Sequence, residues 1–494
     1  MRKAKIVCTI GPATASEKQL EELIEAGMDV ARLNFSHGDH ASHGEVINRI
    51  RKVSKKLKRQ VAILQDLQGI KIRVGRLKGE KVRLEKGAEV IIMKGDEKGD
   101  DKTIFIDYPW LIDDAKVGDI ILLDDGLMKL KVTRKDEDSL VATVIEGGVL
   151  KEHKGVNLPH MKISAPFFTE KDRKDLEFGV KMDVDYVALS FVRTSTDIKT
   201  VKRWLAEKGV RVPLIAKIEK EEAIHNIDSI LEEIDGIMVA RGDLGVELPL
   251  EEVPVYQKML IQKANMKGCI VITATQMLES MTQHSRPTRA ESTDVANAVI
   301  DGTDALMLSA ETSAGRYPIE AVKVMDRIIS YTEQAYKRPF DAFFADVGQE
   351  VFRYQNSCRT KDAYHLTDDA DGIVLPKAIA HAASRAAEET DSKWIVAFTK
   401  SGFTANLISK FRPSKQIIAL SPDEKVVRQM SLYWGVIPFL VKYMENTDEL
   451  INEVGHYLTL RGQVVPGDKV VIVASLPLSI SGKTNFMKIH EIVQ

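Results

Sequence analysis

Cysteine is scarce: Cys8, Cys269 and Cys358 are the only three in 494 residues, so no disulfide framework beyond one bridge can hold the chain together. Cys8 and Cys269 lie inside apolar runs, the setting of buried free thiols in a reducing compartment. An excess of either charge is also lacking. Lys+Arg 70 against Asp+Glu 72 leaves no long-range field to draw nucleic acid or a membrane, so any bound anion must be held by local chemistry. No apolar stretch approaches the roughly 18 residues of a spanning helix. Met1-Arg2-Lys3-Ala4-Lys5 runs straight into a strand-like segment without a signal-peptide core, which leads to the expectation of a cytoplasmic protein. Close-spaced His/Cys clusters, internal repeats and low-complexity tracts are missing, which argues against a structural zinc and a repeat architecture.

What is present is alternation. Short β-branched apolar runs at 5–10, 30–35, 61–67, 186–191, 213–218, 236–240, 269–275 and 305–309 are separated by helical patterns. Eight such units predict a closed (β/α)8 barrel, the TIM-barrel class, with an open doubly wound sheet as the alternative. Ser16 with Gln19 predicts a capping box opening the first helix. The interval between the third and fourth runs is too long for one helix. Its alternating stretches, such as Lys81-Val82-Arg83-Leu84, and turn pairs, such as Asp125-Gly126, predict an inserted small β-barrel lid over the barrel mouth. Past a polar break at 341–371, further strand-like runs at 394–398, 416–420, 436–441 and 469–474 alternate with helices and predict an α/β domain with a mainly parallel sheet. The expected division is therefore 1–70 with 165–340 for the catalytic barrel, 71–164 for the lid and 341–494 for a C-terminal regulatory domain.

Barrel enzymes place their chemistry at the carboxyl ends of the strands. Those positions here carry Arg32, Asn34, Ser36, Asp66, Ser190, Arg193, Lys217, Glu219, Arg241, Asp243, Thr275, Gln276 and Glu311. Lys217-Ile218-Glu219 puts an ammonium and a carboxylate on one side of a strand, and Asp243 adds a second carboxylate from the next. Such a lone pair would be read as a structural salt bridge. In this company it suits a divalent metal and a transferring phosphoryl group, or carboxylate chemistry on that metal.

Cys8-Thr9-Ile10-Gly11-Pro12-Ala13, Ala31 through Gly38, Lys154-Gly155-Val156-Asn157-Leu158-Pro159, Lys217-Ile218-Glu219, Met238 through Gly245 and Ala274 through Ser280 together resemble the pyruvate kinase family, as do Arg286 through Glu291 and Ser309-Ala310-Glu311-Thr312. The resemblance implies phosphoryl transfer from phosphoenolpyruvate to ADP, giving pyruvate and ATP in the last step of glycolysis. It implies that Glu219 and Asp243 ligate Mg2+ or Mn2+, that Lys217, Arg32 and Arg73 serve the phosphoryl group, and that Thr275 lies near the carbon to be protonated. Gly242 and Asp243 amides would receive the substrate carboxylate, and Asn34, His37, Arg73 and Lys154 would meet ADP. A homotetramer is the expected assembly.

One departure carries an expectation. Many relatives hold K+ with residues matching Asn34, Ser36, Asp66 and the carbonyl of Leu67, beside a glutamate. Here that glutamate's place is taken by Lys71, whose tethered ammonium could stand where the cation would, so activity without K+ is expected. Ile70 replaces a usual proline, a change with no functional reading. In the C-terminal domain, Thr399-Lys400-Ser401-Gly402-Phe403-Thr404 follows a strand and opens a helix. In relatives that loop receives a phosphorylated effector, here AMP or a sugar phosphate, through Thr399, Ser401, Gly402 and Thr404. The tail after Lys469 departs from eukaryotic members and weighs against a sugar bisphosphate.

Rival readings are a metal-dependent enolpyruvate or 2-oxo acid lyase and a catalytically silent nucleotide or sugar-phosphate sensor. Ser481-Gly482-Lys483-Thr484 ends like a P-loop, but Pro477 stands where the motif requires glycine. Arg241-Gly242-Asp243 also spells the tripeptide of cell-adhesion ligands, which the barrel explains better in a chain without an export signal. His40 and His43 are expected as capping or solvated residues.

Overall fold

The computed structural model describes residues 2–336, 374–443, 447–477 and 484–492, so Cys358, the 340/341 boundary and most of the P-loop-like segment lie outside the described residues. Three strands open the fold: β1 (Lys5–Thr9), β2 (Val30–Asn34) and β3 (Ala62–Asp66). An inserted unit then holds β4 (Lys81–Leu84), β5 (Glu89–Lys94), β6 (Thr103–Ile106), β7 (Ile120–Leu123), β8 (Met128–Lys135), β9 (Ser139–Glu146), β10 (Gly148–Lys151) and β11 (Val156–Asn157). Five more strands follow: β12 (Tyr186–Leu189), β13 (Leu214–Ile218), β14 (Gly236–Ala240), β15 (Ile270–Ala274) and β16 (Ala305–Leu308). The first three and these five close into one parallel barrel in the order β1-β16-β15-β14-β13-β12-β3-β2. Closure removes the open-sheet alternative.

The barrel strands read as near-continuous apolar runs because both their faces are buried. Inward, Val7, Val30, Leu64, Ala188, Ile215, Met238 and Ile272 fill the lumen; outward, Ile6, Leu33, Ile63, Ile218 and Leu306 meet the surrounding helices. Helix entries are fixed by side chains that satisfy otherwise unpaired amides. Thr169 with Asp172 and Thr288 with Glu291 form complete capping boxes. At Ser16 the box is only half made: its hydroxyl accepts from the Gln19 amide but donates to Gln19 Oε1, so the glutamine side chain never returns to the Ser16 backbone.

The inserted unit forms a six-stranded sheet, β11-β7-β8-β9-β5-β6, and a β10-β4 ladder around its own core of residues such as Val90, Ile104, Ile121 and Leu140. Its polar contacts with the barrel fall on the loops and short helices that follow the carboxyl ends of the strands. Arg193 donates to the Ile163 carbonyl at 2.8 Å, His160 pairs with Glu221 at 2.8 Å, and Asn157 donates to Glu247 at 3.5 Å. The lid position is therefore the observed one.

The C-terminal sheet runs β19 (Val436–Leu440), β18 (Ile417–Ser421), β17 (Trp394–Phe398), β20 (Lys469–Ser475), β21 (Thr484–Glu491). The first four strands are parallel, and β21 adds an antiparallel edge that the sequence pattern did not mark. This domain stoppers the amino-terminal end of the barrel. Leu432 is fully buried with the lumen residues, Tyr186 donates to the Gln429 carbonyl at 2.8 Å, and Lys5 donates to the Val436 carbonyl at 2.7 Å.

The tightest part of that junction is electrostatic. Asp304, just before β16, receives Lys410 and, at 2.8 Å, Arg412 from the C-terminal domain, together with the Val271 amide at 2.7 Å. One carboxylate faces two buried cations, and burial pushes the Lys410 amine down to about 8 although Asp304 pulls the other way. Removing the carboxylate leaves both cations without an anion, a change that costs about 3–5 kcal/mol in buried ion pairs. Asp304→Asn is therefore expected to lower stability by about that amount. Denaturant unfolding measures it, and a loss comparable to that of an ordinary surface substitution would refute this account of the junction.

Candidate active site

The charged side chains at the centre of the mouth come from the barrel strands and the residues just after them. Arg32 lies in the middle of β2, Asp66 ends β3, Lys217 is the penultimate residue of β13 with Glu219 just past its end, and Asp243 lies in the first turn of the helix Arg241–Glu247 after β14. The strand register aligns these ends around one ring.

Asp66, only 1% exposed, is the hub of that ring. Arg32 Nη2 lies 2.6 Å and Lys217 Nζ 3.4 Å from its carboxylate. Burial works against the carboxylate's charge, but Lys217 and Arg32 outweigh it and hold the group below its ordinary range. Arg32 also donates to Thr9 Oγ1 at 2.9 Å. Lys217 is held on two further sides, 2.8 Å from Glu219 Oε1 and 2.8 Å from Ser190 Oγ. Burial opposes its charge too, yet Asp66 and Glu219 raise its pKa above the ordinary lysine value, so it is a fixed cation. Ser190 donates in turn to the Leu67 carbonyl at 2.7 Å.

Glu219 is buried, and burial is the main cause that pushes its carboxyl up to about 7; Lys217 pulls it down and the negative charge of Asp243 pushes it further up. The Phe191 amide donates to its second oxygen at 2.6 Å. Lys71 stands at the rim of the same mouth. Burial is the first cause that lowers its pKa, and Arg73 and Lys217 lower it further while Asp243 and Asp125 hold it up. His37 shares that neighbourhood: burial lowers its pKa first, followed by Lys71, Arg73 and Arg32.

Other anticipated residues are placed as follows. The Ser36 amide donates to Asn34 Oδ1 at 3.1 Å. Lys154, on the lid, pairs with Asp124 at 2.8 Å, and its carbonyl accepts from the Val74 amide at 2.9 Å, one residue from Arg73. The Gly242 amide donates to Thr275 Oγ1 at 2.8 Å, so these two are in direct contact. Thr399, Ser401, Gly402 and Thr404 do not join the mouth. They lie after β17 on the domain that closes the opposite end, with Gly402 against Tyr433 and Thr404 Oγ1 2.8 Å from Thr484 Oγ1.

Neither His40 nor His43 caps the helix; His40 is exposed, as the solvated reading expects, and His43 is half-buried. Asp39 caps their helix, while His43 stacks on Phe35 with ring centroids 4.1 Å apart and His40 stacks on Phe178 at 4.5 Å and bonds Asp175 at 2.8 Å. Two residues of the mouth went unremarked in the sequence. Glu247 is buried between Lys220 and the lid's Asn157, and Asp124 anchors Lys154. Only the adjacency of Asp124 and Asp125 to a turn glycine hinted at the second.

A family model described as the pyruvate kinase barrel domain matches residues 1–322, and one described as the pyruvate kinase alpha/beta domain matches residues 377–490. The chain belongs to the pyruvate kinase family. Pyruvate kinase of Geobacillus stearothermophilus is 47% identical over 99% of this chain and 80% of its own length. Pyruvate kinase of Staphylococcus aureus is 46% identical over 99% of this chain and 80% of its own length. A crystal structure of a pyruvate kinase from Cryptosporidium parvum superposes with a TM-score of 0.89 at 36% identity, covering 99% of this chain and 96% of that one. Membership makes the chain a phosphotransferase. No described helix is long and apolar enough to cross a membrane.

A divalent cation fits the donor set of this pyruvate kinase mouth. Glu219 and Asp243 are two hard oxygen donors whose mutual repulsion is recorded in the raised Glu219 carboxyl. Among the described residues no third His, Cys, Asp or Glu completes a protein cage. Two carboxylates with open remaining positions suit Mg2+ or Mn2+, which keep water and substrate oxygens as ligands. Mn2+ at about 100 times its Kd is expected to stabilise the protein by about 2.7 kcal/mol. Glu219→Gln should abolish that gain in thermal unfolding, and an undiminished gain would remove Glu219 from the metal site.

Proposed function

We propose that the mouth transfers the phosphoryl group of phosphoenolpyruvate to ADP, forming pyruvate and ATP. The observation that carries this reading is Lys217, a buried ammonium fixed by Asp66, Glu219 and Ser190 beside Arg32. In a phosphoryl transfer there is little covalent work for the protein, and positioned positive charge does most of it. Lys217, Arg32 and Arg73 neutralise the equatorial oxygens as the bond from phosphorus to the enol oxygen breaks and a β-phosphate oxygen of ADP takes its place. The released enolate electrons become the C=O of pyruvate while C3 takes a solvent proton on the side of Thr275. Glu219 and Asp243 would hold Mg2+ or Mn2+, which would supply Lewis-acid charge to the bound substrate.

Gly242 and Asp243, at the opening of their helix, are suited to the substrate carboxylate, though the Gly242 amide must exchange its bond to Thr275 to serve. Asn34, His37, Arg73 and Lys154 are assigned to ADP, with Lys154 brought by the lid, which excludes water as it closes. The three-part division, 1–70 with 165–340, 71–164 and 341–494, is the working organisation of this enzyme, supported by the separate cores of lid and C-terminal sheet. A lyase on the same carboxylate pair would leave Lys154 and the lid without a task, and a silent sensor would have no use for Lys217 fixed among three partners.

Activity without K+ belongs to the same proposal. Asn34, Ser36, Asp66 and the Leu67 carbonyl form the region where relatives hold the cation, and the charges of Asp243 and Lys217 both act on the Lys71 ammonium at that rim. Allosteric control by AMP or a sugar phosphate at Thr399, Ser401, Gly402 and Thr404 is supported by the loop's place ahead of the helix Phe403–Lys410. A homotetramer in the cytoplasm completes the proposal.

Lys217→Met should lower turnover by about 10^3-fold or more, the scale of losing a cation that stabilises a transferring phosphoryl. A coupled assay with phosphoenolpyruvate, ADP and Mg2+ reads this directly, and a near-normal rate would overturn the role. In sodium-only or tetramethylammonium buffer the unmodified enzyme should keep its rate, whereas Lys71→Glu should acquire a requirement for K+. Strong stimulation of the unmodified enzyme by K+ would sink that part.

A further inference from the structure

Arg241 begins the helix after β14, beside the proposed substrate-binding Gly242 and Asp243, yet its side chain turns away from them and is only 13% exposed. Its guanidinium is committed on every side. Nε donates to the Ala274 carbonyl at 3.2 Å, and Nη2 to the Thr275 carbonyl at 2.7 Å and to Met277 Sδ at 2.7 Å. Nη1 donates to Asp294 Oδ1 at 2.6 Å and Gln257 Oε1 at 3.2 Å. Two consecutive carbonyls at the end of β15 are therefore clamped by one planar fork, which is itself anchored by a carboxylate from the helix Arg289–Asp301. The burial of Arg241 also explains why its tripeptide is no adhesion ligand.

What the fork holds is an unfavourable backbone. Thr275 has φ 68° and Gln276 φ 55°, left-handed values that a β-branched residue such as threonine rarely takes unless its surroundings impose them. In this conformation the Thr275 carbonyl meets Arg241, while its hydroxyl donates to the Ala274 carbonyl at 2.7 Å and accepts from the Gly242 amide at 2.8 Å. The hydroxyl is thus kept at the mouth by a bond made on the far side of the same residue.

We propose that Arg241, with Asp294 as its anchor, is a positioning residue for the protonation half of the reaction. It holds Thr275 in its left-handed conformation so that the hydroxyl faces C3 of enolpyruvate, and it touches neither substrate nor metal. The inference rests on the phosphoenolpyruvate reading above and assigns a residue to one step of it. In that step C3 gains a proton derived from solvent, the enol oxygen gives up its charge to form C=O, and no other co-reactant is required. A shift of about 1 Å in a reacting group costs about 10^2-fold in rate, which sets the scale expected when the fork is lost.

The test compares the unmodified enzyme with Arg241→Lys, which keeps the charge but cannot span two carbonyls, and Asp294→Asn, which frees the fork from its anchor. Arg241→Lys should lower kcat by about 10^2-fold, with KM for phosphoenolpyruvate and ADP changed less than about threefold. Exchange of pyruvate C3 hydrogens in D2O with Mg2+ and ATP, followed by NMR, should fall in parallel, and the solvent deuterium isotope effect on kcat should rise. Asp294→Asn should show the same pattern at smaller size, and it decides the matter if Arg241→Lys does not fold. Normal C3 exchange in the folded variants, or a loss confined to KM, would overturn the inference. Absence of phosphoenolpyruvate turnover in the unmodified enzyme would instead overturn the reading on which it rests.

Discussion

Asp66 is a carboxylate in the interior of a protein, and it keeps its charge only because Arg32 and Lys217 stand against it. The cost of burying Asp66 is offset by the two cations and each cation's by the shared carboxylate, with the three groups coming from three different strands. That arrangement requires the strands to end at a common level around a closed ring. Barrel closure is thus the mechanical condition, and the Arg32, Asp66 and Lys217 cluster is what closure makes possible. Glu219 adds to the far side of Lys217, and the repulsion it feels from Asp243 leaves a place where added positive charge is favourable.

The two additional domains act on opposite ends of the ring. The inserted unit meets the carboxyl-end face of the barrel through polar contacts to Arg193, Glu221 and Glu247. The C-terminal domain seals the other end with a buried leucine and a buried ion cluster around Asp304, contacts suited to staying in place. Gly402, in the loop that opens the helix Phe403–Lys410, lies beside Tyr433, where a side-chain Cβ would meet the ring, and Tyr433 packs in turn on the barrel floor. The domain proposed to be regulatory is therefore in physical contact with the barrel it would regulate.

Some features were legible because they obey local rules. Parallel strands buried on both faces must be apolar along their length, so all eight barrel strands stood out as runs, and each ends within two residues of the expected position. The edge strand β21 escaped notice because its exposed positions dilute the pattern. The capping box at Ser16 was half right because Gln19 found the serine hydroxyl closer than the backbone amide. The partners of His40 and His43, which are Asp175, Phe178 and Phe35, were not legible because they are selected by packing between elements. No spacing rule could reveal that Lys410 would meet Asp304 from 106 positions away.

The amino-acid sequence alone determined the order of elements, the inserted unit, the polar residue at each strand end and the family, since these depend on periodicity and motif spacing along one chain. Tertiary structure decided which of those polar residues share a charge. It made Asp66 a hub, turned the Arg241 side chain away from its own neighbours toward β15, and forced Thr275 into a left-handed conformation. The reason is physical: electrostatic and hydrogen-bond energies fall off over a few ångströms of space, and distance in space is set by barrel closure rather than by position along the chain.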